Sequence, residues 1–405
     1  MEGTGLLIRR LRMEQKRSQQ ALCKGICAVS YLSKIEKGTA NPSNEIVSLL
    51  FARLGVDYRL DEAFLHDVRQ MLDAYFDHFA LMEEEQEEKQ RLVAAREQAL
   101  KSPLADAYTL FLAYEAFADH HNWADAKPLL DTLTGREAAM GERDLFFYSL
   151  ARGETAKELA DATVWYHKAI HLLPYSIAPF FLGAKLYQMG EYQESLVYVQ
   201  QAYARATEEG NPYMLLYTSE LTAGCYAELY QEEMMMRYYR QTRRLAQAIA
   251  PKMIAGIDYN IGATLVIMRK SAQGLPYLQR AKQGRYKADI LLYHKLAIAY
   301  FDTGNRQEAV KALRKAEALL KAGKGTPMEE KLIRIVRFRL EKNYLQSEAY
   351  YRLLREVYDG IDKVYHHGFK QFHGNLLAEA CVHSRRYKEA LHIASEVRIF
   401  PEFIK

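Results

Sequence analysis

Four cysteines in 405 residues, at Cys23, Cys27, Cys225 and Cys381, are too few and too scattered for a disulfide framework, and they fit a reducing compartment. Cys23 and Cys27 stand at a spacing that would suit two metal ligands, but no second pair follows at zinc spacing, so core packing is their expected role. The histidine pairs, His120 with His121 and His366 with His367, likewise lack cysteines or carboxylates at ligand spacing. No metal or cofactor is expected. Nothing approaches the run of about 20 apolar residues that spans a bilayer, and the N-terminus lacks the basic segment and apolar core of a secretory signal, so a cytoplasmic chain without a membrane partner is expected. A P-loop, a dinucleotide fingerprint and the motifs of covalent hydrolases are also missing. The chain is therefore not expected to be an enzyme. Alternating strand patterns are absent too, and the net charge of +4 decides nothing.

What is present begins with SQQALCKGICAVSYLSKIEKGTANPS, residues 18 to 43. Ser18 is placed to cap a helix over 19–25, because its hydroxyl can accept an orphan backbone N–H. Gly25 permits a tight exit, and a second helix over 29–36 puts Leu32 and Ile35 on a buried face. That leaves Val29, Ser30, Ser33 and Lys34 outward, as a recognition helix in a major groove requires. Gly38 suits a positive φ at the exit, and Asn41-Pro42-Ser43 reads as a turn and cap for a helix over 44–53. Residues 1–60 carry ten Lys and Arg against five acids (Glu2, Glu14, Glu36, Glu45, Asp57), a basic surface fit for phosphates. Arg17 and Lys37 are expected phosphate contacts. Gln19, at the start of the first of these helices, completes the DNA-facing set.

The register IRRLR, SQQAL, SYLSKIEKG, NPS resembles the lambda-repressor-like (XRE) DNA-binding domain, and the short GIC turn is similar to that of the peptide-responsive RRNPP regulators. The resemblance covers about the first sixty residues. It implies an internal ion pair between Arg12 and Glu36, a dimer, and a pseudo-palindromic double-stranded operator.

Residues 61–102 read as connecting helices: an apolar helical pattern from Phe64 to Phe79, then the acidic run Glu83, Glu84, Glu85, Glu87, Glu88, expected to open a solvated helix leading away from DNA. From 103 to 405 the chain is repetitive. Segments from Phe180, Asn260, Lys295 and Leu376 share one pattern, with Gly183, Gly262, Ala297 and Ala378 at a first small position and Ser195, Gly274, Ala309 and Ala390 at a second. Small residues recurring where two helices cross are the signature of stacked helix hairpins. The pattern resembles the tetratricopeptide repeat. Weaker units around 114–126, 150–174, 224–243 and 333–358 bring the expected number to roughly eight, and the fold expected overall is all-α, a helix-turn-helix head followed by a right-handed α-solenoid.

The concave face of such an array can clamp an extended peptide, and amide side chains suit that work because each offers both donors and an acceptor. In repeat register the groove positions carry Thr222, Asn260, Lys295 and Arg334, with Asn375 one position early. DYNIGATL around Asn260 looks like an element that several peptide-responsive regulators use to hold their signal's main chain. Lys295 and Arg334 suit a peptide carboxylate. The resulting expectation is a quorum-sensing transcription regulator governed by a short oligopeptide. A second reading stays open: the array docks a protein such as a response regulator, with phosphatase activity as its enzymatic form.

Overall fold

In the computed structural model, residues 2–56, 58, 62–83, 87–284, 289–361 and 366–397 are described, and every regular element among them is helical. Asp57 and Arg59 of the basic segment, Glu84 and Glu85 of the acidic run, and the side chains of Glu2, His120, His366 and His367 lie outside the described residues. The chain divides into two compact units, residues 1–182 with 204–214, and residues 183–203 with 215–405.

The first unit opens with four helices, α1 (Glu2–Glu14), α2 (Gln19–Cys23), α3 (Val29–Glu36) and α4 (Asn44–Arg53). Ser18 Oγ accepts from the Ala21 amide at 3.1 Å and Ser43 Oγ from Ile46 at 3.4 Å, so both caps sit where the sequence puts them. Helix α2 ends two residues earlier than expected, because Lys24 already leaves the helical region and Gly25 turns to φ +73. Leu7, Ile8, Leu22, Leu32, Ile35, Val47, Leu50 and Phe51 form the core. Helix α1 crosses α3 at Gly5, where an added Cβ would stand 1.8 Å from the Ile35 carbonyl oxygen. Only hydrogen fits there. Glu36, only 3% exposed at its side chain, accepts from Arg12 at 2.6 and 2.9 Å and from Gln19 at 2.7 Å. The head's internal carboxylate is thereby fully engaged.

Helices α5 (Glu62–Leu81) and α6 (Glu87–Leu100) are more than connectors. They pack as a hairpin ahead of α7 (Ala105–His120), α8 (Trp123–Thr132), α9 (Glu142–Thr155) and α10 (Leu159–Leu172). Phe76 stacks on Phe147 and meets Tyr114 edge-on, Tyr75 meets Phe111, and Arg69 bridges α5 to Asp144 of α9 at 2.8 Å. As expected after the acidic run, α6 is mainly solvated, with Leu92 and Ala99 its buried residues, and Glu83 pairs with His78 at 2.8 Å ahead of it. Ala105, at the start of α7, lies in the same buried cluster as the head core, so head and first repeat share side-chain packing.

Helices α11 (Ile177–Met189) and α12 (Tyr192–Glu209) span the division between units. The second unit continues with α13 (Pro212–Glu228), α14 (Glu232–Ile249), α15 (Ile254–Ile267), α16 (Ser271–Gln283), α17 (Asp289–Asp302), α18 (Arg306–Lys321), α19 (Pro327–Arg339), α20 (Glu348–Gly360), α21 (His366–His383) and α22 (Tyr387–Glu396). From α7 to α22 these pair into eight hairpins, and the four weak sequence units fall on α7/α8, α9/α10, α13/α14 and α19/α20.

The small residues sit at the crossings because backbones meet there. Ser195 Oγ donates to the Gly183 carbonyl at 2.7 Å, and a Cβ on Gly274 would approach the Gly262 carbonyl to 2.7 Å. Ala297 and Ala309, the equivalent pair of α17/α18, are both fully buried. Helix α15 is apolar around most of its circumference, with Ile257, Ile261, Leu265, Val266 and Ile267 all buried. Such a helix is enclosed by its neighbours, whereas α14 and α20 are amphipathic and lie outward.

Candidate functional site

Two surfaces assemble the expected site residues. On the head, α3 turns Leu32 and Ile35 inward and leaves Ser30 and Lys34 exposed, with Val29 42% exposed at its start and Lys37 exposed at its end. Ser33 is half-buried. Arg17 is exposed, but its guanidinium already donates to the Arg53 carbonyl at 2.5 Å. Gln19 is drawn inward: it is half-buried and its amide is held by Glu36. The outward face of α3, a short polar and basic strip on a rigid helix, is what a major groove accepts.

The second surface lies inside the second unit, as a cavity of about 410 Å³ walled by α11, α13, α14, α15, α17 and α21. Asn260 of α15 and Lys295 of α17 both line it. Asn260 donates to Glu220 of α13 across a long 3.4 Å contact. Burial pushes the Glu220 carboxyl above the usual range, with that bond pulling the other way. Glu228 stands two turns along α13 from Glu220, and Tyr187, Tyr239 and Tyr259 add hydroxyls to a wall whose other residues are mainly apolar. Burial raises the pKa of both Tyr187 and Tyr239, so these phenols stay protonated.

Lys295 is fully buried, its Nζ has no hydrogen-bond partner among the described residues, and it lies over the rings of Phe369 at 4.4 Å and Phe372 at 5.2 Å on α21. Burial alone brings its pKa down to about 7. An ammonium on aromatic faces, with no acceptor, is the most conspicuous polar group of the cavity.

The other expected groove residues are placed elsewhere. Thr222 is 4% exposed and donates to the Thr218 carbonyl one turn back, so it is part of α13's packed face. Asn375 is fully buried and donates to Gln371 O within α21. Arg334 is exposed on α19 and opens onto a different cleft, of about 640 Å³, beside Glu317, Thr326 and Arg337. The repeats are too degenerate for one register position to face one way in all of them. Within DYN, Asp258 is 3% exposed and held by Arg243 at 3.4 Å and Arg280 at 3.2 Å, a clasp across α14, α15 and α16 that fixes the helix presenting Asn260. Glu220 went unnoticed in the sequence. Its signal was a lone carboxylate within the apolar stretch MLLYTSELTAG.

The cysteines are free, with Cys23, Cys225 and Cys381 buried, and among the described residues no cluster of three His, Cys, Asp or Glu is arranged to hold a metal. No described helix is long and apolar enough to cross a membrane.

These features define a class: an all-α protein with an XRE-type helix-turn-helix head and a tetratricopeptide-like helical repeat array. Residues 8–60 match the Helix-turn-helix family. The fold of the chain is that of the quorum sensor NprR from B. thuringiensis in its apo form, at 15% identity, a TM-score of 0.63, and coverage of 82% of this chain and 97% of that one. NprR in complex with its cognate peptide NprX is similar at 14% identity and a TM-score of 0.58, covering 81% and 99%. Aspartyl phosphate phosphatase F from Bacillus subtilis is similar at 15% identity and a TM-score of 0.52, covering 98% and 93%. No curated protein matches in sequence.

Proposed function

We propose that the protein is a transcriptional regulator in which the head binds an operator duplex and the repeat domain binds a short signalling oligopeptide that sets its DNA affinity. The observation that carries this reading is one chain holding both an exposed recognition face on α3 and an enclosed cavity with Asn260 in its wall. An amide pairs with a peptide group whatever the peptide's sequence, and the weak contact to Glu220 is readily exchanged for a ligand. The fold shared with NprR, a quorum sensor solved with its cognate peptide, supports it. Two heads in a homodimer would read half-sites about 34 Å apart or a multiple of that, and a peptide that favours one conformation of the array shifts DNA affinity by its differential affinity alone.

Selection of duplexes from a random library by the full-length protein supplies the operator. On it, Ser30→Ala and Lys34→Ala should each cost about 1–3 kcal/mol with little change on random DNA, while Lys37→Ala weakens both and lowers the salt slope by about 1. Equal losses on both duplexes for all three variants would remove the readout role. Asn260→Ala should leave folding and peptide-free DNA binding intact but weaken peptide binding by about 1–3 kcal/mol, by leaving peptide groups unpaired. Undiminished binding in that variant would take Asn260 out of the site. The competing reading, an array that docks a response-regulator-like protein, predicts that a purified response regulator binds the full-length chain.

A further inference from the structure

We propose that the Lys295 end of the cavity is a carboxylate subsite, in which a carboxylate of the bound peptide takes Nζ in place of the aromatic faces that now cover it. This rests on the oligopeptide reading and says which chemical group the peptide must bring. A fully buried ammonium without an acceptor is strongly disfavoured, and cation–π contact with Phe369 and Phe372 returns only part of the loss. Phe369 and Lys295 both line the cavity, so a ligand in it borders the ring that lies over Nζ.

The surrounding groups leave this role to a ligand. On α17, His294 is fully buried and burial holds its pKa well below the ordinary value. On α21, burial brings His373 down to about 3. Both imidazoles are neutral and offer no counter-charge. Arg339 of α19 adds positive potential and has its own acid, Asp302, at 3.2 Å. On α13, Glu220 faces the cavity with its pKa raised by burial and with Asn260 as its partner, and Glu228 stands on the same wall. Neither bonds Nζ. Tyr187 of α11, Tyr239 of α14 and Tyr259 of α15 complete the titratable groups of the wall.

Such a subsite couples binding to a proton. Burial leaves Lys295 partly uncharged near pH 7, and an incoming carboxylate raises its pKa, so complex formation takes up a proton. Affinity is then level well below pH 7 and falls by up to tenfold per unit as pH rises above it.

The test uses immobilised full-length protein and three pools of random heptapeptides: free acids, C-terminal amides, and amides made without Asp or Glu. Retained peptides are quantified by mass spectrometry at pH 6, 7 and 8.5. The expected result is retention of the free acids, falling at least tenfold from pH 6 to 8.5, with the carboxylate-free amides at background. A side-chain carboxylate as the natural group would appear as retention of the Asp- and Glu-containing amides with the same pH profile. Lys295→Met, checked for native helix content, should bring the acids down to the level of the amides. Carboxylate-free amides retained as well as acids, with no pH dependence in the unaltered protein, would overturn the subsite while leaving the peptide reading in place. No retention of any pool would overturn that reading and the subsite together.

Discussion

Ala309→Asp should unfold the α17/α18 hairpin. Ala309 is fully buried at the second small position of its repeat, and in two other repeats that position lies against the backbone of the first, through the Ser195 to Gly183 bond and the Gly274 to Gly262 contact. A carboxylate there gains no partner and displaces helix from helix. The cost is about 4 kcal/mol or more, among the largest a single substitution produces. Each hairpin packs chiefly on its neighbours, so the loss spreads to α15/α16 and α19/α20, and circular dichroism should report lost helix and a lower melting midpoint. Burial also raises the new carboxyl's pKa in the folded state above its unfolded value. The penalty is therefore least at acid pH and grows as pH rises toward that folded pKa. An unchanged melt would place position 309 on the surface and break the repeat register.

That register was legible because close crossings need small residues, and small residues are visible in a sequence. The boundaries of α3 and α4 were legible for a similar reason: Ser43 caps one, and Gly38, at φ +71, ends the other. Turn chemistry explains what was faint. Most of the hairpin turns place one residue in the left-handed region, but only some use glycine: Gly190 and Gly304 do, whereas Tyr230, Arg269 and Arg385 occupy the same kind of position. A turn made by tyrosine or arginine gives no local sign of its own, so such a unit is legible only through the small residues at its crossing, as α15/α16 is through Gly262 and Gly274. The role of α5 was hidden in another way. An amphipathic helix shows that it has a buried face, and nothing in its sequence says that Phe147 and Asp144, seventy residues on, supply the other side.

The site divides along the same line. Repeat register pointed to Asn260 and Lys295, and both line one cavity. Register failed for Thr222 and Asn375, since a polar residue one turn from its own helix carbonyl satisfies itself and can then be buried, as the bonds to Thr218 and Gln371 show. Periodicity states which face a residue occupies. It does not state whether that face is lined with water or with another helix, and Phe369, which decides the burial of Lys295, comes from α21, more than seventy residues away.

Lys295→Met should make the protein more stable, and by an amount that depends on pH. Methionine keeps most of the unbranched stem and its contacts with Phe369 and Phe372 while removing a charge that has no acceptor. The fall of the Lys295 pKa from 10.5 to about 7 corresponds to an ionisation penalty on the order of 5 kcal/mol, and the lost cation–π contact returns about 2 of that, leaving a gain of about 3. The folded pKa lies below the unfolded one, so between pH 7 and 10.5 the unfolded chain holds the extra proton and the unaltered protein gains stability as pH rises. The advantage of the variant is thus full below pH 7 and fades toward pH 10.5. Melting at pH 6, 7.5 and 9 should show the two midpoints converging. A variant less stable at every pH would mean that the ammonium already has a structural partner, and the carboxylate subsite would lose its physical basis. Convergence, in contrast, would identify Lys295 as a residue kept at a cost to the fold, the pattern of side chains held for a ligand.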